Sequence, residues 1–273
     1  MRILVTGGTG TFGRPAVARL VEQGHEVRVL SRRPSPKLPA GAQTVRGDLS
    51  SDEAVRDAVW HANAVLHAAS NTGLGLGRGD VDGTQRLLQI AARGASVTHF
   101  LYVSIVGIDR IPLIYYRRKL ACEQLVAASG IGHTILRATQ FHELLSGALL
   151  AVERWPIAPL PLSWRFQPIA AEDVAARAVE LLVSGPQGRA PDLGGPEVLT
   201  VDEMVRVWRS HRGRPRRVIG VSLPGRVARG FQAGFNTCPA NASDARRWVE
   251  HVAGLSSERG RRSHCRADVT RSA

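Results

Sequence analysis

The sequence predicts an α/β fold, a doubly wound parallel sheet with a small C-terminal lobe, on three observations. Short β-prone apolar runs alternate with helical periodicities through the first half of the chain. The links between them are short, and a strand, a helix and a strand so joined close into a parallel pair with the helix across one face. At 273 residues with 44% hydrophobic content, the chain is also long enough to bury a substantial core.

The elements follow in order. Ile3, Leu4 and Val5 open the first strand, and Pro15 to Val21 continue a helix over 13–22. Strands are expected at 26–30, 42–46, 64–67, 98–104 and 134–137, with helices at 52–61, 82–93 and 113–129 between them. Asp52 suits a helix N-terminus and Gly94 a helix stop. Between Leu74 and Asp80 the chain alternates with Gly75, Gly77 and Gly79, which reads as a mobile loop on the carboxyl edge of the sheet. Beyond about residue 140 the texture changes. A proline-rich connector at 155–161 precedes a helical run at 171–183, a turn at 193–196 and a helix from Val201 capped by Thr200. Residues 216–221 suit a further strand. The expected division is a core over 1–140, a lobe over 141–240 and a divergent, poorly ordered tail over 241–273, whose last stretch from Ala253 is rich in Ser and Arg.

The turn after the first strand carries the first chemistry. Gly7, Gly10 and Gly13 interrupt Thr6–Gly13, with Thr9, Thr11 and Phe12 between them. A strand that breaks through glycines into a helix points backbone N–H groups outward at the positive end of the helix dipole, where a dinucleotide pyrophosphate fits. Gly7 permits the tight turn, Gly10 lets the phosphates approach and Gly13 lets helix and strand pack closely.

Composition narrows the function. No run approaches the roughly 18 apolar residues of a membrane span, and the N-terminus has no secretory pattern. Cys122, Cys238 and Cys265 are odd in number and far apart, which fits a reduced cytoplasm and neither zinc nor a disulfide framework. The formal charge of +13 is scattered, and aromatics are only 5%, so no nucleic-acid partner is expected. Lys37 and Lys119 are the only lysines among 36 basic residues. Each therefore marks a place where a compact, titratable cation serves and a guanidinium does not.

The second strand ends in Ser31, Arg32 and Arg33, where an NAD-selective fold usually presents an acidic residue to the ribose. Two guanidinium groups suit a 2′-phosphate, so NADP(H) is favoured over NAD(H). Asp48, followed by Leu49, either accepts a bond from the adenine amino group or caps the next helix. His67, Ala68 and Ala69 close the fourth strand where backbone approaches the cofactor, and His67 reads as a satisfied, half-buried side chain rather than an acid or base. Ser104 ends the fifth strand on the same edge. Tyr115 and Lys119, four residues apart, project from one helix face. A nearby ammonium lowers a phenol's pKa, so Tyr115 is expected to exchange a proton with the substrate. Ser104 would polarise the same oxygen and Lys119 would bond the nicotinamide ribose. An ordinary amphipathic helix shows the same spacing, and Tyr116 is the adjacent competitor.

These motifs, with Val81 to Thr84, Tyr102 to Gly107, Leu136 to Thr139 with Phe141, and Ile169 to Val174, resemble the atypical short-chain dehydrogenase/reductase superfamily, in particular its NmrA-like NAD(P)-binding group. The likeness spans roughly residues 1–240. It implies a Rossmann-type fold, NADP(H), and oxidoreduction of a small carbonyl or quinone-like acceptor. The Ser104-to-Tyr115 spacing is shorter than in most such enzymes, and the tail after Cys238 departs from the pattern. Two other functions stand beside this one, a non-catalytic dinucleotide sensor and a nucleotide-sugar epimerase-like isomerase. Oligomeric state is left open, with a homodimer among the options.

Overall fold

The computed structural model describes residues 1–71, 75–94, 96–153, 155–212, 217–244 and 246–256. The chain divides into two compact units, one of Met1–Ala138 with Ala171–Leu193 and one of Thr139–Ala170 with Gly194–Ala273.

In the first unit, strands β1 (Arg2–Thr6), β2 (Glu26–Ser31), β3 (Gln43–Arg46), β4 (Ala64–His67), β5 (His99–Ile105), β6 (His133–Ala138) and β9 (Gly188–Arg189) form one sheet in the order β3-β2-β1-β4-β5-β6-β9. Every pairing is parallel, with Ile3 opposite both Val27 and Ala64. Parallel strands covered on both faces carry continuous apolar runs, and Ile3, Leu4 and Val5 are fully buried. Chain order reverses between β2 and β4 on either side of β1, which opens the crevice at the carboxyl ends where such sheets bind ligands. This is the Rossmann-type parallel sheet expected.

Helices α1 (Gly13–Glu22), α2 (Asp52–Val59), α3 (Asp80–Arg93), α4 (Ile114–Ala127) and α6 (Ala171–Ser184) cover it. One core cluster joins Val55, Leu87, Leu88 and Val126 of the helices to Leu4, Val65 and Phe100 of the sheet. On the other face α6 packs against α1, burying Val174, Ala178, Val179 and Leu182.

That placement corrects the division expected from sequence, because residues 171–193 return to the first unit. Within the second unit, α5 (His142–Val152), α7 (Val201–Arg212), α8 (Arg226–Gln232) and a helix at 248–256 accompany two small sheets. One pairs β8 (Arg165–Phe166) with β10 (Leu199–Thr200), the other β7 (Ile157–Leu160) with β11 (Arg217–Gly220). The connector thus contains a strand, and Pro159 is tolerated because that two-stranded sheet is all edge. Thr200 caps α7 through a reciprocal box: its hydroxyl accepts from the Glu203 N–H at 3.2 Å, and the Glu203 carboxylate accepts from the Thr200 N–H at 2.7 Å.

The tail is a second correction. Trp248 and Val252 are completely buried with Leu145, Leu149, Met204 and Trp208 in the core of the second unit. Residues 257–273, the rest of the expected tail, lie outside the described residues.

Candidate functional site

The glycines after β1 are shaped for backbone approach. Gly7 has φ +74°, and a Cβ there would stand 2.7 Å from the Ala69 nitrogen and 2.8 Å from the Ala68 carbonyl oxygen. At Gly13 a Cβ would lie 2.1 Å from the Gly7 oxygen. Neither position admits a side chain. Gly10 is different: within 4 Å its Cβ position meets only the Gly7 oxygen, at 3.3 Å. The N-cap of α1, Phe12, makes no side-chain capping bond, and the first turn holds no acidic residue. The helix therefore offers its positive end and an uncluttered backbone, which fits a dinucleotide phosphate. Thr9 contributes its carbonyl to the Arg14 guanidinium at 3.1 Å, and Thr11 is exposed.

At the end of β2, Ser31 is buried and its hydroxyl accepts the Arg33 N–H at 3.1 Å. Arg32 and Arg33 are both exposed. The Arg32 Nε lies 3.7 Å from the Asp48 carboxylate, so Asp48 orients one of the two guanidinium groups. Hydrogen bonds from Ser50 hold the Asp48 carboxyl below its ordinary pKa, helped by the Arg32 and Arg86 charges. Asp48 does not cap α2. Ser51 does, accepting from the Ala54 N–H at 3.3 Å. Leu49 packs against the core of the first unit, its carbonyl taking the Arg86 guanidinium at 3.0 Å.

His67 is fully buried, more than the half-burial expected. Its Nδ1 lies 2.6 Å from the Thr6 hydroxyl and its Nε2 2.9 Å from that of Thr84, and its ring stacks on Tyr102. Its side chain is therefore consumed inside the protein, and only the following backbone at Ala68 and Ala69 underlies the glycine turn. Burial, reinforced by the Lys119 charge, lowers its pKa to about 3. Since the folded value lies below the unfolded one, the unfolded chain takes up a proton first as pH falls, and stability is lost from about pH 6.5 down to about 3. His67→Gln should flatten that acid limb, read as the denaturant midpoint against pH. An unchanged slope would show that His67 is not its source.

Ser104, Tyr115 and Lys119 all lie in the first unit, but not as the spacing suggested. The Tyr115 hydroxyl pairs with Ser70 Oγ at 3.1 Å, and Ser70 bonds the Asp80 carboxylate, whose other oxygen accepts the Asn71 N–H at 2.9 Å. The Lys119 ammonium donates to the Val103 carbonyl at 2.7 Å and sits 4.1 Å from the Tyr102 ring centroid. The expected lowering of the Tyr115 pKa is overturned. Burial raises it, the Ser70 bond opposes that, and the Asp80 and Cys122 charges raise it further. Lys119 itself is lowered by burial to about 8. Ser104 Oγ, 3% exposed as a residue, makes no hydrogen bond among the described residues.

Ser70 and Asp80 escaped the sequence reading because the nine residues between them carry neither a helical nor a strand pattern that would bring the two together. Of the glycine-rich loop, Leu74 lies outside the described residues. The rest is tied down rather than loose: Gly77 donates to Asn71 at 2.7 Å, and the Arg118 guanidinium reaches the carbonyls of Gly75 at 3.2 Å and Leu76 at 2.8 Å. Among the described residues, no cluster of three or more His, Cys, Asp or Glu could hold a metal ion, and no helix is long and apolar enough to cross a membrane.

A family model described as NAD(P)H-binding matches residues 7–184. A reductase of (4-alkanoyl-5-oxo-2,5-dihydrofuran-3-yl)methyl phosphate from Streptomyces griseus is 30% identical over 79% of this chain and 75% of its own. The photosystem II assembly factor Ycf39 of Trieres chinensis is 27% identical over 82% of this chain and 73% of its own. Among solved structures, the Escherichia coli NADPH-dependent quinone oxidoreductase with NADPH aligns at TM-score 0.77 and 18% identity, covering 93% of this chain and 99% of that one. That likeness shows the fold. With the glycine cradle at the switch point of a parallel sheet, these matches establish that the chain belongs to the NAD(P)H-binding family.

Proposed function

We propose that this protein is an NADP(H)-dependent oxidoreductase that reduces a small carbonyl or quinone-like acceptor, with Tyr115 as proton donor. The observation that carries the reading is the buried, unpaired hydroxyl of Ser104 at the carboxyl end of β5. A buried hydroxyl without a partner costs about 1–3 kcal/mol, and an acceptor oxygen bound on this edge would satisfy it. The reductase and quinone oxidoreductase named above support the acceptor class.

When bound, the nicotinamide supplies hydride. The chain's residues do the rest. The Gly7–Gly13 turn and the α1 N-terminus hold the pyrophosphate, and Arg32 and Arg33 hold the 2′-phosphate. The Lys119 ammonium has two donors beyond the one on Val103 to give the ribose hydroxyls. Ser104 orients the acceptor oxygen. The raised pKa of Tyr115 keeps its proton in place at neutral pH, which suits an acid in reduction rather than a base in oxidation.

Two measurements test this. Replacing Arg32 and Arg33 with Ala should weaken NADPH binding about tenfold or more per lost charge-assisted bond pair and barely change NADH binding; equal losses for both would sink the NADP assignment. A panel of quinones, aldehydes and ketones with NADPH should reveal turnover. Tight NADPH binding with no turnover on any acceptor would replace the enzyme reading with a non-catalytic, cofactor-bound role. The assembly-factor name of the Trieres relative favours that second reading.

A further inference from the structure

We propose that Ser70 and Asp80 are the proton relay of Tyr115, positioning residues that aim its hydroxyl and reprotonate it after each turnover; this rests on Tyr115 being the donor. The direction of the chain follows from counting protons. Ser70 has one hydroxyl proton, and the Asp80 carboxylate accepts it. Ser70 Oγ is then left only lone pairs, so at 3.1 Å from Tyr115 it accepts the phenol O–H. With Asp80 a carboxylate, the resting order of donation is therefore Tyr115 to Ser70 to Asp80, and the Ser70 hydroxyl turns from Asp80 to Tyr115 once the phenolate forms.

The surroundings hold this arrangement. Asp80 is anchored by the Asn71 N–H on its second oxygen and stands at the start of α3, where a carboxylate is stabilised by the helix. Gly77 has φ +77° and a Cβ there would lie 3.1 Å from the Tyr115 ring, so a side chain would strain the backbone and press on the ring. Arg118 fastens the same loop to α4. Tyr115 is half-buried, and Asp80 keeps part of its surface in water. The relay thus leads from the interior to solvent. The titratable groups that bear on Tyr115 are Asp80 from α3, Tyr116 and Cys122 from its own helix, and Tyr102 from β5.

In reduction, the Tyr115 O–H bond breaks as the acceptor O–H bond forms, and a bound nicotinamide would supply the hydride that completes the two-electron reduction. The phenolate then takes the Ser70 proton, and Ser70 takes one that water has delivered to the Asp80 carboxyl. One proton enters per turnover, and no electrons move through the relay.

The test uses Asp80→Asn and Ser70→Ala, with Ser70→Thr as the hydroxyl-keeping control, in the full chain. Turnover with NADPH should fall about tenfold or more in the first two, less than the roughly 10²–10⁴-fold expected for loss of the donor itself. KM for the acceptor and NADPH affinity should hold, and Ser70→Thr should recover most of the rate. A second readout needs no turnover. Ultraviolet titration of tyrosinate, with Tyr115→Phe identifying the band, should shift the Tyr115 midpoint down in Asp80→Asn and up in Ser70→Ala. Opposite shifts follow from lost charge and lost hydrogen bond respectively, and general loosening of the fold does not produce them. Unshifted midpoints, or full turnover in both variants while Tyr115→Phe is inactive, would overturn the relay and leave the donor standing. Full turnover in Tyr115→Phe would overturn both.

Discussion

Tyr115→Phe should cut NADPH-linked reduction by about 10²–10⁴-fold, the range for removing a positioned proton donor, without loosening NADPH. The ring stays, so its packing against Gly77 and its tilted contact with Tyr116 are retained. The loss is one hydroxyl and its bond to Ser70, worth about 0.5–1.5 kcal/mol to the fold. Stability should therefore change little while kcat collapses, a separation that a steady-state assay and a fluorescence titration of NADPH together detect. The pH dependence has a definite sign. Because the folded chain raises the Tyr115 pKa, the donor stays protonated through neutral pH, and kcat should decline only on the alkaline side, first as Lys119 loses its charge at about pH 8 and then as the phenol ionises. Full turnover of Tyr115→Phe at neutral pH would assign the proton to another group.

Gly13→Ala should be the most damaging single methyl in the first unit. Its Cβ would stand 2.1 Å from the Gly7 oxygen and 2.5 Å from the Gly8 Cα, both backbone atoms with no rotamer to yield. Overpacking usually costs about 1–3 kcal/mol, and a clash against backbone belongs at or beyond the top of that range. The denaturant midpoint and NADPH affinity should fall together. Gly10→Ala supplies the contrast. Its Cβ meets only the Gly7 oxygen, at 3.3 Å, so the fold should survive while the methyl obstructs the phosphate approach. If Gly13→Ala kept native stability, the close crossing of α1 and β1 would not be what the glycine serves.

The sheet was legible because parallel strands write their burial into the sequence. The run Ile3-Leu-Val5 and the helix at 13–22 appear as read, and strands β2 to β6 differ by a residue or so at their ends. What escaped shares a physical cause, dependence on distant chain. Helix α5 carries Gly147 mid-helix and exposes Leu144 and Leu150 among its buried residues, so it shows no clean amphipathic period. The burial of Trp248 comes from Leu149, Met204 and Trp208, none within reach of a local pattern. The site divides the same way. The glycine cradle and the Tyr115–Lys119 spacing are local and were readable. That Lys119 turns to Val103 and that Tyr115 answers to Ser70 and Asp80 depends on three elements meeting, and the sign of the Tyr115 shift changed with it.

The return of Ala171–Leu193 to the first unit also sets a schedule for synthesis. A ribosome that has released residues 1–140 has made six strands of the sheet, yet one face of α1 still waits for α6, and β6 stays an edge strand, paired only with β5, until β9 arrives. Ala16, Val17 and Leu20, buried in the finished protein, are in that interval open to other chains. A fragment ending at 140 would be fixed in that unfinished state, so a cofactor-binding module cut at the boundary read from sequence should aggregate, whereas the nascent chain passes through the same stage only until residue 193 emerges.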